Sequence, residues 1–176
     1  MSSFLNKYNR EQLHIMSNLV RYNNEIHNHS ENVAEHSFYV AVYAMEICNI
    51  LEVSDEIKLN CIQLALIHDI HEIELSDIPH NVKAKIPELS KICDEYEKKY
   101  NEEHFPNIKN EGISKLIVLI ADCLSVYQYS LNEIQVGNSG RFIKIRNSSH
   151  DRIIKCLNKL DEESRTKLEN EIFHSM

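Results

Sequence analysis

The stretch "LALIHDIHEIELSD", residues 64–77, begins as the apolar face of a helix and ends in a dense group of ionisable side chains. Two histidines, two aspartates and two glutamates fall within residues 68–77. Charged groups are costly to bury unless they are paired or bind a cation. A helix that enters a core and ends in this way therefore indicates a functional site as well as a packing element.

The overall composition favours a single helical domain. The chain has 176 residues, of which 43% are hydrophobic, and this is enough to form one core without disulfides. It contains three glycines, three prolines and no tryptophan, so it has few of the residues that punctuate β-rich folds. We therefore predict an all-α fold with one domain over residues 1–176.

Charge and hydropathy argue against two classes of partner. With 27 acidic and 19 basic residues, the chain has a formal charge of −8, which repels nucleic acid polymers but still allows a small phosphorylated ligand in a locally positive pocket. The first residues contain no apolar signal region, and no run approaches the roughly 20 apolar residues that cross a bilayer. We expect a cytoplasmic protein with no membrane partner and with its five cysteines reduced.

Hydrophobic periodicity predicts the helices. We predict them over residues 4–20, 31–52, 54–69, 88–100 and 113–133, with a loop at 137–140 and then one or two amphipathic helices over 142–160 and 161–174. Ser30 and Ser54 are the predicted N-caps of the second and third helices, because a serine oxygen accepts from the free backbone N–H groups of a first turn. His71 is predicted at the surface, and His27 and His29 in a solvated loop.

Polar side chains interrupt apolar helix faces at four positions where core residues are expected. These are His36, His68, Asp69 and Asp122. Each alone is explained by a hydrogen-bonded core residue or by pairing at a helix end. Together, two imidazoles and two carboxylates from three helices can converge in a bundle core. Nitrogen and oxygen ligands without thiolate suit one divalent ion such as Mn, Co, Fe, Ni or Zn, which makes water nucleophilic near neutral pH. The set therefore points to hydrolysis.

The order of these residues resembles the HD superfamily of metal-dependent phosphohydrolases. The segments "ENVAEHS" (31–37), "HDIHE" (68–72) and "DIPHNVK" (77–83), with Arg21 fifteen residues before His36, resemble the YfbR-type 5′-deoxynucleotidase group more closely. Together with Asp122, these motifs span residues 21–122, more than half of the chain. The resemblance implies an HD-domain helical bundle with a mononuclear metal site in its core, and it implies a homodimer.

The resemblance also assigns roles to individual residues. The implied metal ligands are His36, His68, Asp69 and Asp122. Glu72 matches a glutamate that orients the attacking water or shuttles its proton. Asp77 matches an acidic residue beside the sugar and the leaving oxygen. Arg21 and Lys83 match phosphate contacts, for which a forked guanidinium is well suited.

Two positions depart from the family pattern. Tyr22 stands where relatives carry an aromatic residue, often Trp, against the nucleoside. Its ring can stack on the base or crowd a ribose 2′-hydroxyl, and crowding would favour deoxynucleotides. Asn24 is polar where relatives often place an apolar residue near the base. The base preference is therefore not carried over from the family.

The resulting hypothesis is an enzyme that hydrolyses deoxyribonucleoside 5′-monophosphates to the deoxynucleoside and phosphate. An alternative on the same fold removes triphosphate from a deoxynucleoside triphosphate and needs extra positive charge. Candidates for that charge are Lys83, Lys85, Arg141 and Lys144. A dinuclear phosphodiesterase would need further histidines, for which His80 and His104 are the candidates. A non-catalytic nucleotide-binding domain is expected to lose a ligand or the glutamate, whereas this chain keeps them all.

Overall fold

The structure is a computed structural model that describes residues 10–174. Its helices are α1 (Arg10–Ile15), α2 (Val33–Ile50), α3 (Asp55–Ile67), α4 (Glu72–Leu75), α5 (His80–Lys83), α6 (Pro87–His104), α7 (Gly112–Gln135), α8 (Phe142–Leu157) and α9 (Glu162–His174). Over these residues, strand-like pairing is limited to one isolated antiparallel bridge between Val20 and Asn32. The predicted all-α fold is confirmed.

Four helices, α2, α3, α7 and α8, pack together around the main core. Small and branched apolar side chains fill it, among them Ala44, Cys61, Ile120 and Ile153, and α9 adds Leu168. A smaller cluster beside it contains Met16, Val33, Ile70, Tyr100 and Phe105. All five cysteines are buried free thiols, as the composition predicts.

The N-cap of α2 is Asn32 and not the predicted Ser30. The Asn32 side chain accepts a hydrogen bond from the Glu35 N–H at 3.0 Å, and the Glu35 carboxylate accepts one from the Asn32 N–H at 3.1 Å. This reciprocal arrangement is a capping box. Ser30 does not cap because the chain after it is still extended, held by the Arg21 N–H, which donates to the carbonyl of Glu31.

The segment before α2 departs from the predicted helix over residues 4–20. Residues 4–9 lie outside the described part of the chain. Helix α1 ends at Ile15, a 3₁₀ turn covers Met16–Asn18, and Leu19 is extended. The Val33 N–H donates to the Leu19 carbonyl at 3.0 Å, so the chain runs antiparallel to the start of α2. This pairing places Arg21 beside the first turn of α2.

Helix α3 begins as predicted, because the Ser54 side chain accepts from the N–H of Ile57. It ends at Ile67, two residues earlier than predicted. A turn follows with hydrogen bonds between residues three apart, including the one from the Glu72 N–H to the Asp69 carbonyl. The turn changes the direction of the side chains, and His71, predicted at the surface, is buried with 4% of its surface exposed.

Among the described residues, one helix, α7, is long and apolar enough to cross a membrane by length and composition alone. The expectation that no segment reaches this threshold was therefore wrong. Half of its most apolar stretch is buried in the fold. Packing against α2, α3 and α8 identifies α7 as a central core helix, which needs the same apolar composition.

Candidate active site

Three of the predicted metal ligands lie together at one end of the core. The possible ligand atoms of His36, His68 and Asp69 all lie within 4.8 Å of one another. The two Nε2 atoms are 3.3 Å apart, and Asp69 Oδ2 lies 3.7 Å from His36 Nε2 and 3.2 Å from His68 Nε2. The first turn of α2 supplies His36, and the turn after α3 supplies the other two.

Both imidazoles are held by their outer nitrogen atoms. His68 Nδ1 lies 2.7 Å from the carbonyl of Ala65, and His36 Nδ1 lies 3.1 Å from Ser125 Oγ. A carbonyl only accepts, so His68 carries a proton on Nδ1, and Nε2 is the nitrogen that could bind a cation after losing its own proton. The Ser125 hydroxyl can accept or donate, so it satisfies Nδ1 of His36 in either tautomer. Ser125 was missed in the sequence, although it lies three residues after Asp122, one turn along a helix.

The fourth predicted ligand, Asp122, lies beside this group on α7. Its Oδ1 is 3.2 Å from His36 Nε2, and its Oδ2 is 3.7 Å from Nη2 of Arg152. Burial alone raises the pKa of this carboxyl, but the hydrogen-bonding contact with His36 lowers it to about 2. Asp122 is therefore a carboxylate at neutral pH, with one oxygen directed at the histidines.

The donor set fits one divalent ion. Donor atoms bound to a single ion at about 2.0–2.2 Å lie roughly 3–4 Å from each other, and the separations in this group are of that size. Burial and the charge of Arg21 lower the pKa of His36 to about 4, so its imidazole is neutral at pH 7. Burial alone lowers the pKa of His68, but the charge of Asp69 raises it to about 9. The carboxylates thus create a negative potential that favours a cation.

Arg21 reaches the centre from the extended segment before α2. Its Nη1 donates to Asp69 Oδ2 at 3.1 Å, and its Nε lies 3.2 Å from a carboxylate oxygen of Glu31. Only 12% of its side chain is exposed. Burial raises the pKa of Glu31 to about 7, although Arg21 opposes this shift. Glu31 belongs to the "ENVAEHS" segment, but no local pattern assigns it a role.

A cleft with a volume of about 470 Å³ opens above the centre. The predicted site residues on its wall are Arg21, Tyr22, Asp69, Glu72, Asp77, Lys83 and Asp122. Hydrogen bonds from Asn23 to the Asp77 carbonyl and from Asn24 to Asn81 join the loop over residues 22–30 to one rim. The structure therefore brings the predicted substrate-binding and catalytic residues to one cleft.

Glu72 and Asp77 place two further carboxyl groups in this cleft. Glu72 begins α4, only 4% of it is exposed, and its Oε2 is buried without a hydrogen-bond partner among the described residues. Burial, together with the charges of Asp69 and Asp77, raises the pKa of Glu72 to about 9. Burial also raises the pKa of Asp77. These are carboxyl groups that can exchange a proton inside a cleft.

Tyr22 has a backbone conformation that side chains rarely adopt, with φ at 56°. Its ring stacks on Tyr129 with centroids 4.6 Å apart and meets the edge of Phe142 at 5.7 Å. The guanidinium carbon of Arg21 lies 5.6 Å from the ring centroid. One face of Tyr22 is therefore occupied by Tyr129, which favours the prediction of a rigid wall over that of a stacking surface.

Helix α8 adds positive charge along the opposite wall of the cleft. Its contributions are Arg141, which precedes the first turn, and Lys144, Ile145, Ser148, Ser149 and Arg152. Arg141 Nη1 pairs with Glu25 at 2.8 Å. Lys85, also a predicted candidate, is exposed and does not line the cleft. Arg152 was not predicted, and nothing in the amphipathic pattern of α8 distinguishes it.

A second cavity, of about 1080 Å³, lies on the other side of the centre, against α6. Its wall shares four residues with the surroundings of the centre: His68, Asp69, Asp122 and Arg152. Glu97 of α6 also lines it, and burial together with the charge of Asp69 raises the pKa of Glu97 to about 7. The centre thus lies between two cavities, and Arg152 borders both.

The remaining histidines do not join this group. His27 and His29 lie in the loop over residues 22–30, and His104 lies at the end of α6. None of them belongs to the described residues that converge on Asp69. The side chain of His80 lies outside the described part of the structure, so its role in a dinuclear centre stays a prediction.

Comparison with protein families gives one match over most of the chain. The model of the family described as "5′-deoxynucleotidase YfbR-like" matches residues 10–164. Comparison with curated proteins gives no match.

Solved structures with similar folds are HD-domain proteins and related chains. An HD phosphohydrolase of cyanophage S-2L, solved with dA and one catalytic Zn²⁺ ion, has a TM-score of 0.80 and 17% identity, covering 96% of this chain and 95% of that one. An HD-domain phosphohydrolase of Listeria innocua has a TM-score of 0.72 and 21% identity, with coverages of 92% and 83%. The PH0347 protein of Pyrococcus horikoshii has a TM-score of 0.68 and 18% identity, with coverages of 89% and 96%.

Proposed function

Because this chain belongs to the YfbR-like family, we propose that it hydrolyses deoxyribonucleoside 5′-monophosphates to the deoxynucleoside and phosphate. Family and fold together support a metal-dependent phosphohydrolase. The deoxynucleotide substrate is the part that we propose in addition. The observation that carries the proposal is the convergence of His36, His68 and Asp69 under a cleft that also contains Arg21 and Glu72.

In this proposal one divalent ion is held by the two Nε2 atoms and by the carboxylates of Asp69 and Asp122. The chemistry that such an ion supplies is polarisation of a phosphoryl oxygen and acidification of a nearby water. The outer contacts of the imidazoles with Ala65 and Ser125 keep the Nε2 atoms directed inward. A relative of the same fold has been solved with one catalytic Zn²⁺ ion, which agrees with a single ion here.

The residues on the cleft wall supply the remaining functions. Arg21 is fixed between Glu31 and Asp69, so the N–H groups it has left are oriented before the phosphate arrives, and binding needs little reorganisation. Glu72 has a buried oxygen without a hydrogen-bond partner among the described residues and a raised pKa, which suits a group that orients water and exchanges a proton with it. Asp77 would lie near the sugar and the departing 5′-oxygen, and Lys83 would add charge near the phosphate.

The preference for a deoxyribose is assigned to Tyr22. Its ring cannot move easily, because Tyr129 stacks on one face and Phe142 meets its edge. A rigid wall next to the sugar excludes a 2′-hydroxyl by crowding it. The cyanophage relative was solved with dA, which agrees with a deoxynucleoside in this cleft. The base preference stays open, since Asn24 and Asn81 are polar groups that can serve several bases.

We also propose that the protein forms a homodimer, as the family resemblance implies. Helix α2 exposes Phe38, Tyr39 and Met45 by 60%, 46% and 40%. A groove lined by Tyr43 and Tyr127 adjoins this helix. Burying such a surface between two copies would remove apolar area from water. Light scattering at micromolar concentration tests the assembly, and a monomer would contradict it.

A second candidate function is removal of triphosphate from a deoxynucleoside triphosphate. One observation favours it: Lys83, Arg141, Lys144 and Arg152 all line the cleft, which is more positive charge than one phosphate needs. Of these, Arg141 is already paired with Glu25 at 2.8 Å. We therefore retain the monophosphate as the first candidate.

One experiment separates the candidates. Metal-stripped protein is reloaded with Mn²⁺, Co²⁺, Zn²⁺ or Mg²⁺ and incubated with each deoxyribonucleoside and ribonucleoside mono- and triphosphate, and the products are resolved by chromatography. Release of phosphate from deoxynucleoside monophosphates supports the proposal, and release of intact triphosphate moves the assignment to the second candidate. If no product forms with any ion and substrate, both candidate activities are overturned in favour of a nucleotide-binding domain.

A further inference from the structure

Helix α8 brings a second guanidinium, that of Arg152, to the centre in addition to Arg21. Arg152 Nη2 lies 3.7 Å from Asp122 Oδ2, whereas Arg21 Nη1 lies 3.1 Å from Asp69 Oδ2. Each arginine thus approaches a different carboxylate in the proposed metal set. Arg152 contacts the Asp122 oxygen that does not face His36, whereas Arg21 contacts the Asp69 oxygen that also faces both histidines. The two come from distant parts of the chain, and both line the cleft.

The two arginines differ in how firmly they are held. Arg21 is 12% exposed and contacts two carboxylates, those of Glu31 and Asp69. The Arg152 side chain is 38% exposed, and its ion pair with Asp122 is the contact that holds it among the described residues. At 3.7 Å this pair is too long for a strong hydrogen bond. Most of the donors of the Arg152 guanidinium are therefore available to a ligand.

The position of Arg152 also restricts which ligand it meets. It lines both the cleft and the second cavity, so its guanidinium lies on the open side of the centre, while His36 closes the inner side with no exposed surface. Because Arg21 also lines the cleft, an anion bound there beside the centre could meet both guanidinium groups. Guanidinium groups bind phosphate oxygens with paired, charge-assisted hydrogen bonds.

We propose that Arg152 is a second phosphate-binding residue, which contacts the phosphate of the substrate in addition to Arg21. The inference rests on the proposed function, because it takes the ligand to be a nucleotide. When Asp122 shares its charge with a divalent ion, its attraction for Arg152 falls, and the guanidinium can turn toward the phosphate. The specificity that follows is for the phosphorylated nucleoside over the free nucleoside.

The other role open to Arg152 is to orient Asp122 without touching the substrate. The two roles differ in what they do to metal affinity. A residue that only positions Asp122 would, on removal, weaken metal binding, typically about 10- to 100-fold for such outer contacts. A phosphate contact would leave metal affinity within about twofold and weaken the binding of the phosphorylated ligand alone.

The test compares metal-loaded wild type with Arg152→Ala, Arg152→Lys and the control Arg146→Ala. Arg146 is an arginine of the same helix that contacts Asn147 and lies outside both cavities. Calorimetry measures binding of the four free deoxynucleosides and of their 5′-methylenephosphonate analogues, which carry a carbon in place of the ester oxygen and are not hydrolysed. Binding of Mn²⁺ to the stripped proteins is measured in parallel.

We expect Arg152→Ala to weaken phosphonate binding about 10- to 100-fold, with nucleoside and Mn²⁺ binding unchanged. Arg152→Lys should recover part of the loss because it keeps the charge without the fork, and Arg146→Ala should match wild type. Equal weakening of nucleoside and phosphonate, or loss of Mn²⁺ affinity, would overturn the assignment. If the wild type itself binds phosphonate no better than nucleoside, the proposed function fails and not only this inference.

Discussion

Helix α7 contains two carboxylates that are largely withdrawn from solvent and have different surroundings, Asp122, whose side chain is 21% exposed, and Glu133. Glu133 is 1% exposed and accepts hydrogen bonds from the backbone N–H groups of Asn28 and His29 and from the side chain of Asn138, each at 2.8 Å. Burial alone would raise its pKa, but these donors hold it below the ordinary value. The Glu133 carboxylate is thus satisfied by fixed N–H groups of its own chain.

Asp122 has no such set of fixed donors. Its oxygens face an imidazole nitrogen of His36 at 3.2 Å and a loosely held guanidinium of Arg152 at 3.7 Å, and the same imidazole nitrogen lies 3.7 Å from Asp69. The centre therefore groups acceptors and lone pairs around one point, which favours a cation. The comparison shows that burial of a carboxylate is not itself a sign of function. The identity of its partners decides whether it stabilises the fold or forms a site.

Asp122→Asn tests whether Asp122 is a metal ligand, and it has the largest expected effect. The amide keeps the shape but loses the charge, so we expect the protein to lose its ion and at least about 10⁴-fold of its turnover. The fold should persist, since a neutral amide is cheaper to bury than a carboxylate. Metal content is measured by elemental analysis and folding by circular dichroism. Full metal content in the variant would remove Asp122 from the ligand set.

Glu72→Gln has the second largest expected effect, a loss of turnover. Because Glu72 is proposed to move a proton and not to bind the ion, we expect turnover to fall about 10²- to 10⁴-fold with the metal content unchanged. Steady-state kinetics and elemental analysis together test this split. Glu74→Gln is the control, an exposed glutamate of the same short helix, and it should be active. Equal activity of the two variants would contradict the assigned role.

Ser125→Ala tests whether the Ser125 hydroxyl supports His36 as a metal ligand. Removing the hydroxyl leaves Nδ1 of His36 without its partner, and we expect about a 10- to 100-fold loss of metal affinity. Ser130→Ala is a matched control, because Ser130 is also buried on α7 but donates to the Val126 carbonyl. Competition with a chelating dye measures both affinities. A similar loss in both variants would indicate a general effect on α7.

The smallest expected effect is that of Glu133→Gln, which should change stability and leave the ion in place. We expect a loss of about 1–3 kcal/mol at pH 7, since two backbone donors lose a charged acceptor. The folded pKa is below the unfolded value, so this contribution is complete above the unfolded pKa of about 4.3 and disappears as the pH falls through the folded pKa. Urea unfolding at pH 7 and pH 3.5 measures the difference, and a pH-independent loss would contradict the mechanism.

Local patterns account for much of the fold and for the proposed ligand set. The helices over residues 54–69, 142–160 and 161–174 were predicted within a few residues, because alternation of apolar and polar side chains reports which face of a helix is buried. The cap at Ser54 follows from a rule that acts within one turn. His68 and Asp69 were recognised because they continue an apolar face.

Errors occurred where a distant segment or an irregular turn overrides the local helical preference. Ser30 was predicted as a cap, but pairing of residues 19–21 with 31–33 keeps the chain extended past it. His71 was predicted at the surface, but the turn after Ile67 rotates it inward. The first error depends on how non-adjacent parts of the chain meet. The second comes from a turn that the helical pattern of residues 54–69 does not signal.

The sequence by itself determined that the chain is helical and that two histidines and two aspartates lie on apolar faces, because helical periodicity links each position to burial. Tertiary structure alone decided that Glu31 fixes Arg21, that Ser125 supports His36, and that Arg152 reaches Asp122 from α8. These contacts join residues separated by up to 89 positions. Only closure of the intervening loops and packing of whole helices bring them together, and no local propensity encodes that.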